Sequence, residues 1–239
     1  MKIIIIGPAF PWRGGIAHHT NTLASHLKKK HCVEVVTFRR QYPKLFFPGK
    51  SQYDPSGKAL DLPVSELIDS INPFNWVLTA LQIRMQKADL IIFAYSLPFF
   101  GPCFGTIAAI ARFRANTKAL FLCHNIIPHE HRIGDKIFTK FAFAFSDYFL
   151  VQSTTVEQDL LKIKTKANYL VSPHPVYEMF GNPIPKEDAK KALNISTKKV
   201  ILYFGYIRQY KGLAILIKAM EHLHDILLLV VGEFYDDKS

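Results

Sequence analysis

Cysteine is scarce: Cys32, Cys103 and Cys123 are the only three in 239 residues, an odd and widely spaced set with no C-x-x-C pair. That excludes a disulfide framework and a cysteine-based zinc site, and fits a reducing cytosol. No H-E-x-x-H run is present and no complete G-x-G-x-x-G, so neither a zinc-peptidase helix nor a full dinucleotide fingerprint is written in the chain. Acidic residues are also few, 19 against 30 Lys and Arg, a formal net charge of +11. Such a balance favours phosphate-bearing partners: nucleic acid, an anionic membrane face or a nucleotide-linked substrate. No recognised RNA- or DNA-reading motif accompanies the charge, which counts against the first.

Long apolar runs are missing at the amino terminus. Four isoleucines, residues 3–6, stand between Lys2 and Gly7-Pro8, too short a stretch for a signal-peptide core; they read as a buried strand. Leu90 to Ala111 carries no charge and is nominally long enough to cross a bilayer. Pro98, Gly101, Pro102 and Gly105 divide it into a short strand, a turn and an Ala-rich helix, which no lipid-exposed helix tolerates easily. Lys28, Lys29, Lys30, Arg39, Arg40, Lys44 and Lys50 face only Glu34 in their stretch. The plain reading is a solvated helix end and loop; the functional one is docking on an anionic membrane surface.

What the chain does have is core material, 49% hydrophobic residues against 21% charged, the composition of a folded globular protein. Apolar strands are expected at 2–6, 33–38, 89–94, 119–123, 147–151 and 169–172. Helical patterns lie between most of them: 16–30 with Leu23 and Leu27 four apart, 72–86, 104–114, 131–145, and a segment opened by a capping box at Thr154-x-x-Glu157. A long basic loop without periodicity runs to about residue 60. All-apolar strands alternating with helices predict a parallel sheet covered on both faces, the doubly wound Rossmann-like α/β class. Four prolines between Pro173 and Pro185 mark a linker, giving residues 1–180 as a first domain with its linker and 181–239 as a second. The second offers a helix at 186–193, strands at 200–204 and 226–231 and a helix between them, too little to bury both faces of a sheet. It is expected to be incomplete, with apolar surface exposed.

Three places could carry chemistry. Trp12-Arg13-Gly14-Gly15 joins the first strand to the first helix, where backbone N–H groups can meet an anion and glycines allow close approach, or where Gly14 and Gly15 merely make a tight turn. His18 and His19 follow, and the sequence does not choose which faces a cleft. Cys123-His124-Asn125 ends a central strand, where open α/β sheets bind ligands. His124 there can hydrogen-bond a sugar hydroxyl or act as an acid or base, with Glu130 orienting a neighbouring histidine. A metal held by His124, His129 and His131 is disfavoured by Pro128 within the loop. Gly205 to Gly212 places Arg208 and Lys211 at another helix N-terminus, where cations oppose the helix dipole unless an anion is bound.

These pieces resemble the family-4 glycosyltransferases of the GT-B fold: G-G-I-A-H after the first strand, C-H-N-I-I-P-H-E in mid-chain, H-P-V-Y-E-M-F in the linker, and F-G-Y-I-R-Q-Y-K-G-L beyond it. The resemblance implies two Rossmann-like domains, an acceptor held by the first and a nucleotide-sugar donor, UDP- or GDP-linked, held mainly by the second. It implies sugar transfer with retention, no metal and no further cofactor. Gly14 and Gly15 would lie against the donor phosphates, His124 against the donor sugar, and Lys211 would neutralise the leaving diphosphate. His18, Asn125 and Glu130 would line the cleft. Many relatives place Arg directly after the strand-end glycine; here Tyr206 stands there and the cation comes at Arg208. The family's later E-x7-E motif would lie beyond Ser239, so residues 1–239 would be weakly active or inactive alone.

The acceptor would be a sugar, a lipid-linked molecule or another hydroxyl compound, and the place of action the cytoplasm or the inner membrane face. Two other classes stand against this reading: a Rossmann oxidoreductase, for which the glycine pattern is lacking, and a basic membrane-surface or nucleic-acid-binding module without catalysis, motivated by charge alone.

Overall fold

Four consecutive isoleucines make most of the strand β1, Lys2–Ile6, and none of them is more than 3% exposed. A strand buried on both faces must sit in the middle of a sheet covered by two layers. Its neighbours are β2 (Cys32–Arg40) on one side and β4 (Leu90–Tyr95) on the other, both parallel. With β3 (Val64–Asp69), β5 (Lys118–Cys123), β6 (Tyr148–Val151) and β7 (Tyr169–Val171) they form a seven-stranded parallel sheet in the order β3-β2-β1-β4-β5-β6-β7. The order reverses between β1 and β4, the switch point at which doubly wound sheets open a crevice. This is a computed structural model; it describes residues 1–43, 51–54, 61–128, 132–177 and 181–234. The described residues divide into a unit ending at His174 and a second beginning at Pro175.

The two faces of β1 are covered unequally. Ile3 and Ile5 pack with Ala24 of α1 (Gly15–Lys28), where Leu23 and Leu27 add partly buried surface. Ile4 and Ile6 face the larger cluster, built by α2 (Pro73–Met85), α3 (Gly101–Arg112), α4 (Asp135–Ala144) and α5 (Thr154–Ile163). Phe93, Phe104, Phe121 and Phe143 fill its centre, the rings of Phe93 and Phe121 stacking at 4.7 Å. At the foot of this layer Arg112 donates to Asp147 Oδ1 at 2.7 Å and to the Phe145 carbonyl, while Asp147 Oδ2 accepts the Ala119 N–H at 2.8 Å. One ion pair thereby ties the end of α3 to the starts of β5 and β6.

Several sequence expectations change in detail. The strand β3 falls in a stretch with no expected element, because Pro63 precedes it and Ser65 and Glu66 break its apolar run. As the sheet edge it needs only one partner, and Arg40 Nε donates to Asp69 Oδ1 at 2.8 Å to fix its end. The helix expected at 104–114 begins three residues earlier, directly after a 3-10 turn at Pro98–Phe100. Gly101 and Gly105 are therefore helical residues that admit α4 to close contact and do not form a turn. A Cβ on Gly101 would run into the Phe138 carbonyl, and one on Gly105 would meet the Phe141 ring at 2.6 Å. The cap of α5 is Ser153, whose Oγ accepts the Val156 N–H at 3.2 Å, one residue before the expected Thr154. Glu157 turns away from the helix start to accept the Tyr169 hydroxyl at 2.7 Å.

The cations of residues 28–50 are less free than their local sequence suggests. Lys28 pairs with Asp61 at 2.8 Å and Arg40 with Asp69, both acids supplied from beyond the stretch. Lys44 and Lys50 lie outside the described residues.

In the second unit α6 (Lys186–Ala192) is followed by β8 (Lys199–Phe204), a 3-10 turn at Gln209–Lys211, α7 (Leu213–Met220) and β9 (Ile226–Val231). The two strands pair in parallel, and apolar side chains such as Phe204 and Ile215 are exposed on them and on α7. Among the described residues no helix is long and apolar enough to cross a membrane, so Leu90 to Ala111 is β4, the 3-10 turn and α3.

The glycine contacts yield a test. Gly101→Ala should lower the urea unfolding free energy by roughly 1–3 kcal/mol, the cost of overpacking against backbone that cannot move aside. Gly15→Ala, with nothing within 4 Å of the new methyl, should stay within about 0.5 kcal/mol of the parent.

Candidate functional site

The loops leaving the carboxyl ends of β1, β5, β6 and β7 meet around a cavity of about 400 Å³ lined by Gly15, Ile16, His124, Gln152, Ser153 and His174. The loop after β1 is held from both sides. Ala9 N–H donates to Thr37 Oγ1 at 3.2 Å, Phe10 N–H to Asn21 Oδ1 at 3.2 Å, and Trp12 Nε1 to the Phe38 carbonyl at 2.7 Å. It then enters α1 through Gly14, whose φ of 124° is a conformation that side chains other than glycine rarely adopt. Gly14 caps the helix without a side chain, and its carbonyl accepts the first helical N–H, from His18, at 3.1 Å. Gly15 opens directly onto the cavity.

Three imidazoles gather here. His19, on α1 and 5% exposed, packs edge-on against His124 at 4.8 Å between ring centroids and against His174 at 5.2 Å. The His124 N–H donates to the Tyr95 carbonyl at 2.8 Å, fixing the backbone at the β5 end beside β4. Gln152 Nε2 lies 2.9 Å from His19 Nε2 and donates to it in the tautomer that leaves that nitrogen unprotonated. Buried polar atoms remain here without a protein partner: His19 Nδ1, His124 Nε2 and Gln152 Oε1. Buried polar atoms without partners are costly, and a hydroxyl-rich ligand or water supplies what they lack.

Burial governs the charge of this cluster. It pushes the His124 pKa down to about 3, helped by the neighbouring His19 and His174 and opposed by Gln152. His19 is pushed down to about 4 by burial and then by His174. Both rings are neutral at physiological pH. His124 is therefore suited to donating and accepting hydrogen bonds and not, as its sequence position allowed, to general acid catalysis near neutrality, which needs a pKa close to the working pH. Although three histidines meet, no group of His, Cys, Asp or Glu among the described residues is arranged to hold a metal ion.

Of the residues singled out from sequence, Gly15 and His124 line one cavity and Gly14 precedes it. His18 is half-buried in the first turn of α1 and does not line the cavity; its neighbour His19 supplies the imidazole that meets His124. Asn125 follows His124 in the loop, half-buried. Glu130, with His129 and His131, lies outside the described residues. Gln152 and His174 were not anticipated. Strand ends are the places to look, and both residues follow a strand; His174 opens the H-P-V-Y-E-M-F run of the linker, whereas Gln152 stands in no recognisable motif.

In the second unit the turn after β8 passes from Gly205, φ 119°, to Gly212, φ 74°. Arg208 precedes the 3-10 turn with its guanidinium 5.9 Å from the Tyr210 ring centroid, and Lys211 closes it. The Lys211 ammonium folds back to 3.2 Å from where a side chain on Gly205 would begin, so the glycine leaves room for the cation at the mouth of α7.

No protein-family model matches the chain, and a search of curated proteins finds no match. Solved structures do match. Sucrose-phosphate synthase from Thermosynechococcus elongatus superposes with a TM-score of 0.69 at 16% identity, over 97% of this chain and 62% of that one. UDP-N-acetylglucosamine 2-epimerase from Rickettsia bellii gives 0.56 at 16% identity, covering 98% and 62%. An E. coli structure described as trehalose-6-phosphate bound with UDP-2-fluoro glucose gives 0.58 at 12%, covering 98% and 65%. The fold is GT-B-like, α/β with Rossmann-like units. At these identities the likeness establishes fold alone, and the chain spans less than two thirds of each of these neighbours. The same fold carries a synthase and an epimerase, so chemistry must be argued from the site.

The histidines predict a pH dependence. A histidine whose pKa is lower folded than unfolded binds more protons in the unfolded chain between the two values, so stability rises with pH across that interval. Stability against urea should drop as pH falls from about 6.5 towards 4, by on the order of 1–3 kcal/mol for His19 at about 1.4 kcal/mol per pK unit. In His19→Gln the slope over this interval should flatten.

Proposed function

We propose that the chain is part of a glycosyltransferase that moves a sugar from a nucleoside-diphosphate donor, UDP- or GDP-linked, to a hydroxyl acceptor. The observation that carries this reading is the meeting of Gly15 and the neutral His124 at one cavity on the carboxyl edge of the sheet, with buried polar atoms awaiting hydroxyl partners. A hydroxyl-bearing ring suits that lining better than a charged group, because neutral imidazole and amide groups can both donate and accept. The turn from Gly205 to Gly212 supports the other half of the reading. Lys211 sits just before a helix, where a cation opposes the helix dipole, and a departing diphosphate is an anion that would offset it, with Arg208 close by in the same turn.

In this reading the bond between the sugar's anomeric carbon and the diphosphate breaks as the acceptor oxygen bonds to that carbon. Lys211, with Arg208, stabilises the charge that gathers on the diphosphate. His124 orients the sugar through a hydroxyl, Gly14 and Gly15 let the donor approach the start of α1, and His18, Asn125 and Glu130 belong to the surrounding cleft. Retention of configuration and independence of metal are part of the proposal, as are a first domain at 1–180 and a second at 181–239. So are action in the cytoplasm or at the inner membrane face and low activity of residues 1–239 by themselves. A purely binding module accounts for the charge but leaves the histidine cavity without a role.

The test is nuclear magnetic resonance of the labelled chain titrated with UDP, GDP and ADP. UDP or GDP should shift the amides of Gly205, Lys211 and Gly212 with millimolar affinity, weakened about tenfold in Lys211→Ala, the scale of one charge-assisted contact. Absence of any shift in that turn at saturating nucleotide would sink the proposal, as would tight binding of NADH.

A further inference from the structure

The exposed side of the helix α2 is mostly apolar, with Gln82 its exposed polar side chain. Thr79, Ala80 and Ile83 are buried under it, while Phe74, Leu78, Leu81 and Met85 follow one another on its outer side at spacings of four, three and four residues. Phe74 is 84% exposed, Leu78 67% and Met85 81%. Scattered exposed leucines need no explanation, but a continuous apolar stripe on the outside of a helix does. Beside it α3 ends at the exposed Phe113, and on the far side of α3 the helix α4 adds the exposed Ile137 and Phe141.

Charge on this layer is mostly positive, with Asp135 at the start of α4 the acid among its described helical residues. Residues 71–88 and 98–116 contain no Asp or Glu. Arg84 and Arg114 stand 5.7 and 5.2 Å from the Phe113 ring centroid, and Lys136 and Lys140 lie exposed on α4. Asp135, the acid of α4, is already engaged, accepting the Arg132 N–H at 2.8 Å.

We propose that the α2–α3–α4 layer is a docking face for an anionic lipid bilayer, with Phe74, Leu78 and Met85 entering the headgroup boundary and the cations meeting lipid phosphates. An apolar stripe flanked mainly by Lys and Arg is the pattern of a helix lying in the membrane interface. At 13 residues α2 is too short to span. A two-fold contact with a second copy would set these cations against themselves. The surface is also distinct from the basic run at residues 28–30, which lies at the end of α1 on the opposite face of the sheet.

Flotation of the full 239-residue chain with phosphatidylcholine vesicles, with and without about one third phosphatidylglycerol, tests this without any nucleotide, so its outcome is independent of the sugar-transfer reading. The chain should float with the anionic vesicles and be released by high salt. Phe74→Ser with Leu78→Ser should cut partitioning about tenfold or more, and Lys136→Glu with Lys140→Glu should remove the preference for anionic lipid. Lys29→Glu with Lys30→Glu should bind as the parent does, and circular dichroism should be unchanged in every variant, since all these side chains are exposed. No flotation, parent-like flotation of the Phe74/Leu78 variant, loss confined to the Lys29/Lys30 variant, or a solution dimer that the Phe74/Leu78 variant dissociates would each overturn the proposal.

Discussion

Burying β1 on both faces is the constraint from which the rest of the molecule follows. A strand of isoleucines, bonded along both edges by parallel neighbours, offers no polar group to a ligand and no free edge. Recognition is thereby displaced to the ends of the strands, and the reversal of strand order beside β1 leaves the carboxyl end as the open one. Gly14, His124, Gln152 and His174 all lie beyond such ends, delivered from separate parts of the sequence by the same rule.

The neutrality of the histidine cluster also comes from that displacement. His19 is carried into the interior by the inner face of α1, and its ring then helps to bury His124. His174 lowers the tendency of His19 and of His124 to take a proton, and His19 that of His124, so the His19 and His124 rings form one polar but uncharged surface. An uncharged lining next to a helix start can both donate and accept hydrogen bonds along fixed directions.

Much of the fold was legible because all-apolar strands announce themselves: β1, β4 and β5 are runs of Ile, Leu, Phe and Ala that nothing but a two-sided core accommodates. The edge strand β3 was not, since a strand with one partner can keep Ser65 and Glu66 and lose the pattern. Gly101 and Gly105 read locally as breakers, and only the approach of α4 shows why a helix keeps them. In the site, His124 was placed by its position after a strand, whereas the choice between His18 and His19 depends on which side of α1 faces the sheet. The Gln152 and His174 contacts join residues far apart in sequence, and no spacing encodes them. The pairing of Lys28 with Asp61 and Arg40 with Asp69 shows the same limit for charge: acids distant in sequence answer cations that looked unopposed.

The short segment at residues 51–54 gives the loop after β1 a further property. Arg13 N–H donates to the Gln52 carbonyl and Asp54 N–H to the Pro11 carbonyl, each at 2.8 Å, and the Trp12 and Tyr53 rings meet at 4.9 Å. The connection between β2 and β3 is thus stapled at its midpoint to the rim of the glycine turn, dividing one long excursion into two closures with separate ends. Closure entropy grows only slowly with length, so pinning residues 51–54 sets the register of this rim without demanding a short connection. Residues 51–54 thereby brace from outside the turn that admits the chain to α1, so the position of Gly14 depends on a segment some forty residues away as well as on its own strand.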